Sequence, residues 1–239
     1  MRYLIIFDKE VNTKNALCFL HIPKTGGKTL WNLFEKQEKN ILVWHSEYFK
    51  PLPYTFFTML RDPADRIMST YYYIKRYKRD PLHKQVREMT LEDFIGYMCN
   101  ENIVNKRYNS KNDLRNIRYR TVNLATRYLS GGDPDNIEKA KNNLNRYFSL
   151  VGITESYFES VFLMQKEFNL KFTQLIKINE TKNRPKVEEI SKKIIQKIIE
   201  INKHDSELYL LAKKLFYEKL NALSADEKIE LNNWKNNVV

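Results

Sequence analysis

The stretch Phe19 to Phe34, FLHIPKTGGKTLWNLF, limits the fold more than any other part of this chain. An apolar run at 16–22 (ALCFLHI) stops at Pro23, Lys24 and Thr25, passes through Gly26 and Gly27, and becomes a helical pattern from Lys28 and Thr29 onward. Strand, glycine turn, helix is the arrangement that aims backbone N–H groups and the positive end of a helix at a phosphate. Two glycines allow dihedrals and a close approach that a Cβ forbids. Lys24 and Lys28 add full positive charges. The ending Gly27-Lys28-Thr29 matches Walker A, G-x-x-x-x-G-K-S/T, whose first glycine would fall at position 22. That residue is Ile22, and no apolar strand ending in a metal-binding aspartate follows. A P-loop phosphotransferase (kinase) is therefore kept as an alternative.

The rest of the chain alternates in the same way. Apolar runs at 40–44, 54–60, 149–153 and 174–179 read as strands, and helical patterns cover 29–38, 63–79, 90–98, 135–147, 155–168, 187–201 and 205–221. Pro63 and Pro134 suit first-turn positions, where the missing N–H costs nothing. Thr154 is a candidate cap for the helix starting near Glu155. The run 187–201 carries one apolar stripe. The alternation predicts an α/β fold: a P-loop-like central parallel sheet flanked by helices on both faces, with a helical C-terminal part at 187–221. With 239 residues, 42% of them hydrophobic, and no repeat or linker, one domain over 1–239 is expected. The polar segment 99–120 reads either as a loop bordering a site or as a disordered insertion.

Charge narrows the partners without choosing one. The formal net charge of +12 favours anionic ligands. Nucleic acid is the weaker candidate, because no helix-turn-helix, zinc or RNA-binding aromatic motif accompanies the charge. Two scattered cysteines, Cys18 and Cys99, make no disulfide framework, and Cys18 sits in an apolar run that marks it as core. No apolar run approaches the roughly 18 residues of a membrane span, and the N-terminus is a poor secretory signal. A reducing, cytoplasmic setting is expected.

A second strand-to-helix turn occurs at 58–73, TMLRDPADRIMSTYYY. Arg61 ends the strand, Pro63 opens the helix, and Arg66 and Ser69 share a helix side. An arginine fork and a serine hydroxyl suit a second phosphate. Arg66 could equally pair with Asp62 or Asp65.

Together, FLHIPKTGGKTL and TMLRDPADRIMSTYY resemble the carbohydrate sulfotransferases related to heparan sulfate 2-O- and 6-O-sulfotransferases. NLATRYLSGG (123–132), the stretch 137–164, NETKNRP (179–185) and INKHDSELYLLAKKLF (201–216) follow in that family's order, so the resemblance covers roughly 15–221. It implies 3′-phosphoadenosine 5′-phosphosulfate (PAPS) as donor, PAP as product and no metal. It places the 5′-phosphosulfate on the loop Lys24, Thr25, Gly26, Gly27, Lys28 and Thr29, and the 3′-phosphate on Arg61 and Ser69. It lays Thr181 and Arg184 over the nucleotide. One departure is visible: the family usually reads KTGGT followed by Ser, and here Lys28 stands for that Thr.

Sulfuryl transfer needs an in-line acceptor oxygen, neutralisation of the leaving group and a base. Lys24 is the candidate for the leaving oxygen. Among four histidines, His45 follows the 40–44 strand, whose carboxyl end opens on the same crevice as the loop; the related enzymes similarly carry a catalytic histidine between the two nucleotide motifs. His45 is thus the candidate general base, with Glu47 as a weaker base or a partner orienting the imidazole. His21 is expected to support the loop by packing. The acceptor is expected to be a carbohydrate hydroxyl; the basic stretch 75–87 (KRYKRDPLHKQVR) reads either as a guide for an anionic sugar chain or as a solvated helix end.

Overall fold

A computed structural model describes residues 3–6, 16–37, 41–48, 54–100, 116–172, 185 and 187–237. Five strands form one sheet: β1 (Tyr3–Ile6), β2 (Leu17–Leu20), β3 (Ile41–Trp44), β4 (Thr55–Leu60) and β5 (Phe148–Ile153), in the order β1-β3-β2-β4-β5. The four strands β3, β2, β4 and β5 run parallel, while β1 pairs antiparallel with β3 at the edge. The run 174–179 lies outside the described residues. β1 is not foreseen by the sequence reading: the short apolar run YLIIF followed by charges gives no distinct strand pattern.

The buried strands explain the near-continuous apolar runs. β2 and β3 are buried at every residue, as expected of parallel strands covered on both faces. In register, Phe19 sits beside Phe57, and both touch Phe34 of helix α1 (Gly27–Phe34); Phe57 also meets Phe168 of α8 (Tyr157–Phe168). On the opposite face Phe56 packs against Tyr48, which is tied to α6 (Leu124–Ser130) by its N–H to the Tyr128 carbonyl. Cys18 is fully buried there, and burial pushes its thiol up to about 12, so it is a small core residue.

A second apolar cluster lies outside the sheet. It joins α2 (Pro63–Arg76), α3 (His83–Val86), α4 (Leu91–Cys99), α5 (Ile117–Thr121) and α9 (Lys192–Ile201) through Ile67, Tyr71, Ile74, Val86, Phe94, Met98, Ile117 and Ile198. The apolar stripe of 187–201 reduces here to one fully buried residue, Ile198, with Ile194, Ile195 and Ile201 partly buried beside it. The remaining α-helices among the described residues are α7 (Ile137–Tyr147), α10 (Lys203–Asn221) and α11 (Ala225–Asn237), the last beyond the helical patterns read from the sequence. Among the described residues no helix is long and apolar enough to cross a membrane.

The caps correct two readings. Pro63 is indeed at the first turn of α2, behind the Asp62 cap. Pro134 is not in a helix; Asn136 caps α7 instead, accepting from the Lys139 N–H. Thr154 caps nothing. Its hydroxyl lies 3.1 Å from the Thr25 carbonyl and 3.0 Å from the Leu60 carbonyl, latching the glycine turn to the end of β4.

Candidate active site

The chain leaves β2 toward β3 on one side, and leaves β4 toward β5 on the other. The crevice between the carboxyl ends of β2 and β4 is thus a topological switch point, the usual ligand site of an open α/β sheet. A cleft of about 390 Å³ opens there, lined by His21, Pro23, Lys24, Gly26, Gly27, Lys28, Thr29, Arg61, Ser69, Thr70, Tyr73, Tyr119, Arg120, Leu124 and Tyr128.

The turn after β2 leads into a helix that no side chain caps. Gly26, the N-cap of α1, has φ +87°, with no side-chain cap and no acidic residue in the first turn. A Cβ on Gly26 would stand 2.9 Å from the Tyr157 ring, and one on Gly27 2.1 Å from the His21 ring. Gly26 is therefore required by conformation and by contact, while a side chain at Gly27 would have to displace the His21 ring. Lys24 also has a left-handed φ of 73°, a strained choice for a residue with a Cβ. Its ammonium lies 4.1 Å from the centre of the Tyr73 ring, and its carbonyl accepts from Arg61 Nη1 at 3.1 Å. Thr25 is buried, and its hydroxyl donates to the Ile22 carbonyl at 2.8 Å. Its side chain holds the turn's shape rather than lining the cleft. Lys28 is exposed at the cleft wall, and Thr29 lines it from a buried position.

The turn after β4 is equipped differently. The Asp62 carboxylate accepts from the Asp65 N–H, the Asp62 N–H donates to Glu155, and Pro63 has no N–H to offer. Arg61 faces the cleft as a cation already held by Asp65, at 2.5–2.6 Å from one carboxylate oxygen. Ser69 and Tyr73 reach the cleft from successive turns of α2. Arg66 does not reach it. It is buried and donates to the Arg120 and Thr121 carbonyls, with the Asp205 carboxylate at 3.7 Å. Its partner is thus neither Asp62 nor Asp65, because α2 turns Arg66 inward toward α5 and α10. Thr181 and Arg184 lie outside the described residues.

The third wall comes from residues that the sequence motifs leave out. Tyr119 and Arg120, from the end of the polar segment 99–120, border the cleft on α5. Arg120 makes a two-pronged ion pair with Asp80 at 2.8 and 2.9 Å. Arg127 stacks 4.1 Å from the Tyr119 ring centre and donates to the Tyr119 carbonyl. The signal for Tyr73 was present, four residues beyond Ser69 on one helix face. Nothing local marks Tyr119; Tyr128 sits in the stretch NLATRYLSGG, which gives no sign that this side chain lines the cleft, and the two arrive from separate helices.

His45 lies half-buried at the end of β3, its Nδ1 3.1 Å from Nδ1 of His21. The rings meet edge to face. Burial lowers the pKa of His45 below its ordinary value. His21 is lowered further, to about 3, by burial first and then by the neighbouring His45 and Lys24. Glu47 does not orient His45: one carboxylate oxygen accepts from Tyr119 Oη at 3.3 Å and the other from Ser46. The imidazole partner is His21, which lies next to β2 and so does more than pack under the loop. His83 is bound to the Ile74 carbonyl at 3.0 Å.

The profile of the Sulfotransferase family matches residues 9–212. The chain belongs to the sulfotransferase family. Over 197 residues it is 27% identical to heparan-sulfate 6-O-sulfotransferase 3-B of Danio rerio, aligning 73% of this chain with 45% of that protein. Over 188 residues it is 28% identical to heparan-sulfate 6-O-sulfotransferase 1 of Homo sapiens, aligning 71% of this chain with 45% of that one. The chain spans less than half the length of these relatives. The cleft at the switch point is its candidate active site.

Proposed function

We propose that this sulfotransferase moves a sulfuryl group from PAPS to a hydroxyl of a carbohydrate acceptor. The observation that carries this reading is the open N-terminus of α1, ringed by Lys24, Lys28 and Arg61 in one cleft. An uncapped helix end beside convergent cations suits the several negative charges of PAPS. In this reading Lys24, Gly26, Gly27, Lys28 and Thr29 hold the 5′-phosphosulfate. Arg61 and Ser69 hold the 3′-phosphate, with Thr181 and Arg184 over the nucleotide. Lys24 neutralises the leaving oxygen, and His45 takes the acceptor's proton. The names of the two relatives support a sugar acceptor. Tyr77, whose ring lies tilted against cleft-lining Tyr73 with centres 5.4 Å apart, leads from the cleft to exposed Lys78 and Arg79, a path that suits an anionic sugar chain.

The test is PAPS-dependent transfer to a panel of neutral and anionic oligosaccharides. Sulfation of at least one sugar is expected, and PAPS binding without transfer to any member overturns the acceptor class. His45→Ala is expected to retain PAP affinity by calorimetry while turnover falls about 10²-fold or more, the scale of a positioned base. Normal single-turnover rates in that variant would remove His45 from the role.

A further inference from the structure

We propose that His21 is the positioning residue for the base: its Nδ1 accepts the Nδ1–H of His45, which leaves the proton-free Nε2 of His45 available to the acceptor hydroxyl. The inference rests on His45 being the base, as proposed above.

The geometry leaves few arrangements. Two Nδ1 atoms 3.1 Å apart require one to donate and the other to accept. When His45 gains a proton it carries N–H at both ring positions, so His21 must then present a bare Nδ1 and keep its own proton on Nε2. The opposite tautomer would set two N–H groups against each other as soon as His45 was charged. Only one tautomer of His21 therefore serves both before and after proton transfer, and it needs no rearrangement during the reaction.

The surroundings hold His21 in that neutral form. Its ring packs on Gly27 at the positive end of α1, where a Cβ would approach to 2.1 Å. It also stacks on Phe19, with ring centres 5.8 Å apart. Burial, His45 and Lys24 all disfavour a charge on it. The other charged or titratable groups around the pair are Lys28 on α1, Glu47 beyond β3, Tyr119 on α5 and Tyr128 on α6, whose hydroxyl is 3.4 Å from the His45 carbonyl. Glu47 is engaged by Tyr119 and Ser46, and the His45 ring bonds to a neutral imidazole rather than to a carboxylate. The step balances simply. The acceptor oxygen bonds to sulfur as its proton passes to His45 Nε2. The bond from sulfur to the bridging phosphate oxygen breaks, and its electron pair leaves with PAP. The positive charge rests on His45 and is shared through Nδ1–H with His21.

The experiment compares His21→Phe, His21→Asn and His45→Ala in the PAPS-dependent assay, with PAP calorimetry and a pH profile for each. His21→Phe keeps a ring but removes the acceptor nitrogen. It is expected to lower kcat about 10-fold or more at unchanged PAP affinity and to move the acid limb of the profile to lower pH, because the His45 cation loses its partner. His21→Asn, whose amide oxygen can stand near the Nδ1 position, is expected to recover part of the rate and of the limb. Wild-type kcat and profile in His21→Phe, with His45→Ala inactive, would overturn the positioning role and leave the base intact. Full turnover in His45→Ala would instead overturn the base. Equal losses of kcat and PAP affinity in His21→Phe would reduce His21 to a support of the loop. Independently of activity, ¹⁵N NMR of histidine-labelled wild-type protein should show His21 protonated at Nε2 and His45 at Nδ1 near neutral pH. A proton on Nδ1 of His21 would sink the proposal even if the variants failed to fold.

Discussion

The chain uses the strand–turn–helix unit twice, after β2 and after β4, and equips the two turns in opposite ways. After β2, Gly26 caps α1 with no side chain, Lys24 and Gly26 take left-handed dihedrals, and no side chain covers the first turn, where the Thr29 N–H donates to the Gly26 carbonyl at 3.2 Å. After β4, Asp62, Pro63, Asp65 and Glu155 satisfy or remove the equivalent groups of α2 from within the protein. The first turn offers backbone to an anion. The second offers only side chains, Arg61 from the turn and Ser69 from a helix whose own end is already neutralised. Two similar patterns in sequence therefore do different work: one is strained and open, the other capped and rigid.

Four changes would break or sharpen that contrast. The largest effect is expected where α2 is held from inside. Asp205 accepts from the Ala125 and Thr126 N–H groups and the Thr126 hydroxyl, and faces buried Arg66. Asp205→Ala should lower stability by about 3–5 kcal/mol, the cost of leaving a buried charge without its partner. Urea unfolding measures it, and a loss below about 1 kcal/mol would show that Arg66 does not depend on Asp205. Gly27→Ala should follow, since its methyl displaces the His21 ring; turnover is expected to fall about 10²-fold for an ångström-scale misplacement, with the fold intact by circular dichroism. An unchanged rate would mean that the loop and His21 are not coupled.

Next, Lys24→Ala should weaken PAP binding by about 1.5–3 kcal/mol, the scale of a hydrogen bond to a charged group. Isothermal titration decides it, and equal affinity would remove Lys24 from the phosphate site. The smallest effect is expected at the capped turn. Asp62→Ala should cost about 1 kcal/mol of stability as a lost N-cap, with PAP affinity close to wild type. If instead PAP affinity rose, the acidic cap would be opposing the ligand, and the contrast between the turns would lie in charge rather than in capping.

The His21–His45 pair adds a pH signature. A neutral His45 is required as base, so activity should rise with pH through a midpoint below the ordinary histidine value of 6.5. The folded state of His21 refuses a proton down to about 3, whereas the unfolded chain takes one up near 6.5. Between those values falling pH favours the unfolded chain, so His21 costs stability progressively as pH drops.

Much of this was visible in the residues. The run 16–34 specified a strand, a glycine turn and a helix, because apolar length, paired glycines and following periodicity are local signals. The same holds for β4 and α2, and for Arg61 at the strand end. Ile22 at the missing Walker glycine already directed the loop away from an ATP site, and in the structure it is a fully buried residue. Thr25 shows the limit of a motif: its place in the loop was right, but its hydroxyl turns inward to the Ile22 carbonyl.

What the tertiary structure alone decided is which side chains face each other. Arg66 and Ser69 sit three residues apart, yet one is buried against Asp205 and the other lines the cleft. Their orientation depends on what α5, α6 and α10 bring to α2. Tyr119, Arg120 and Tyr128 reach the cleft only because those helices fold back across the crevice. Proximity in sequence offers Glu47 as a weaker base or as a partner for His45, but the parallel register sets β3 beside β2 and so puts His21 against it. Local order along the chain follows from periodicity and turn chemistry. The pairing of distant groups follows from strand order and helix packing, which no single stretch of sequence contains.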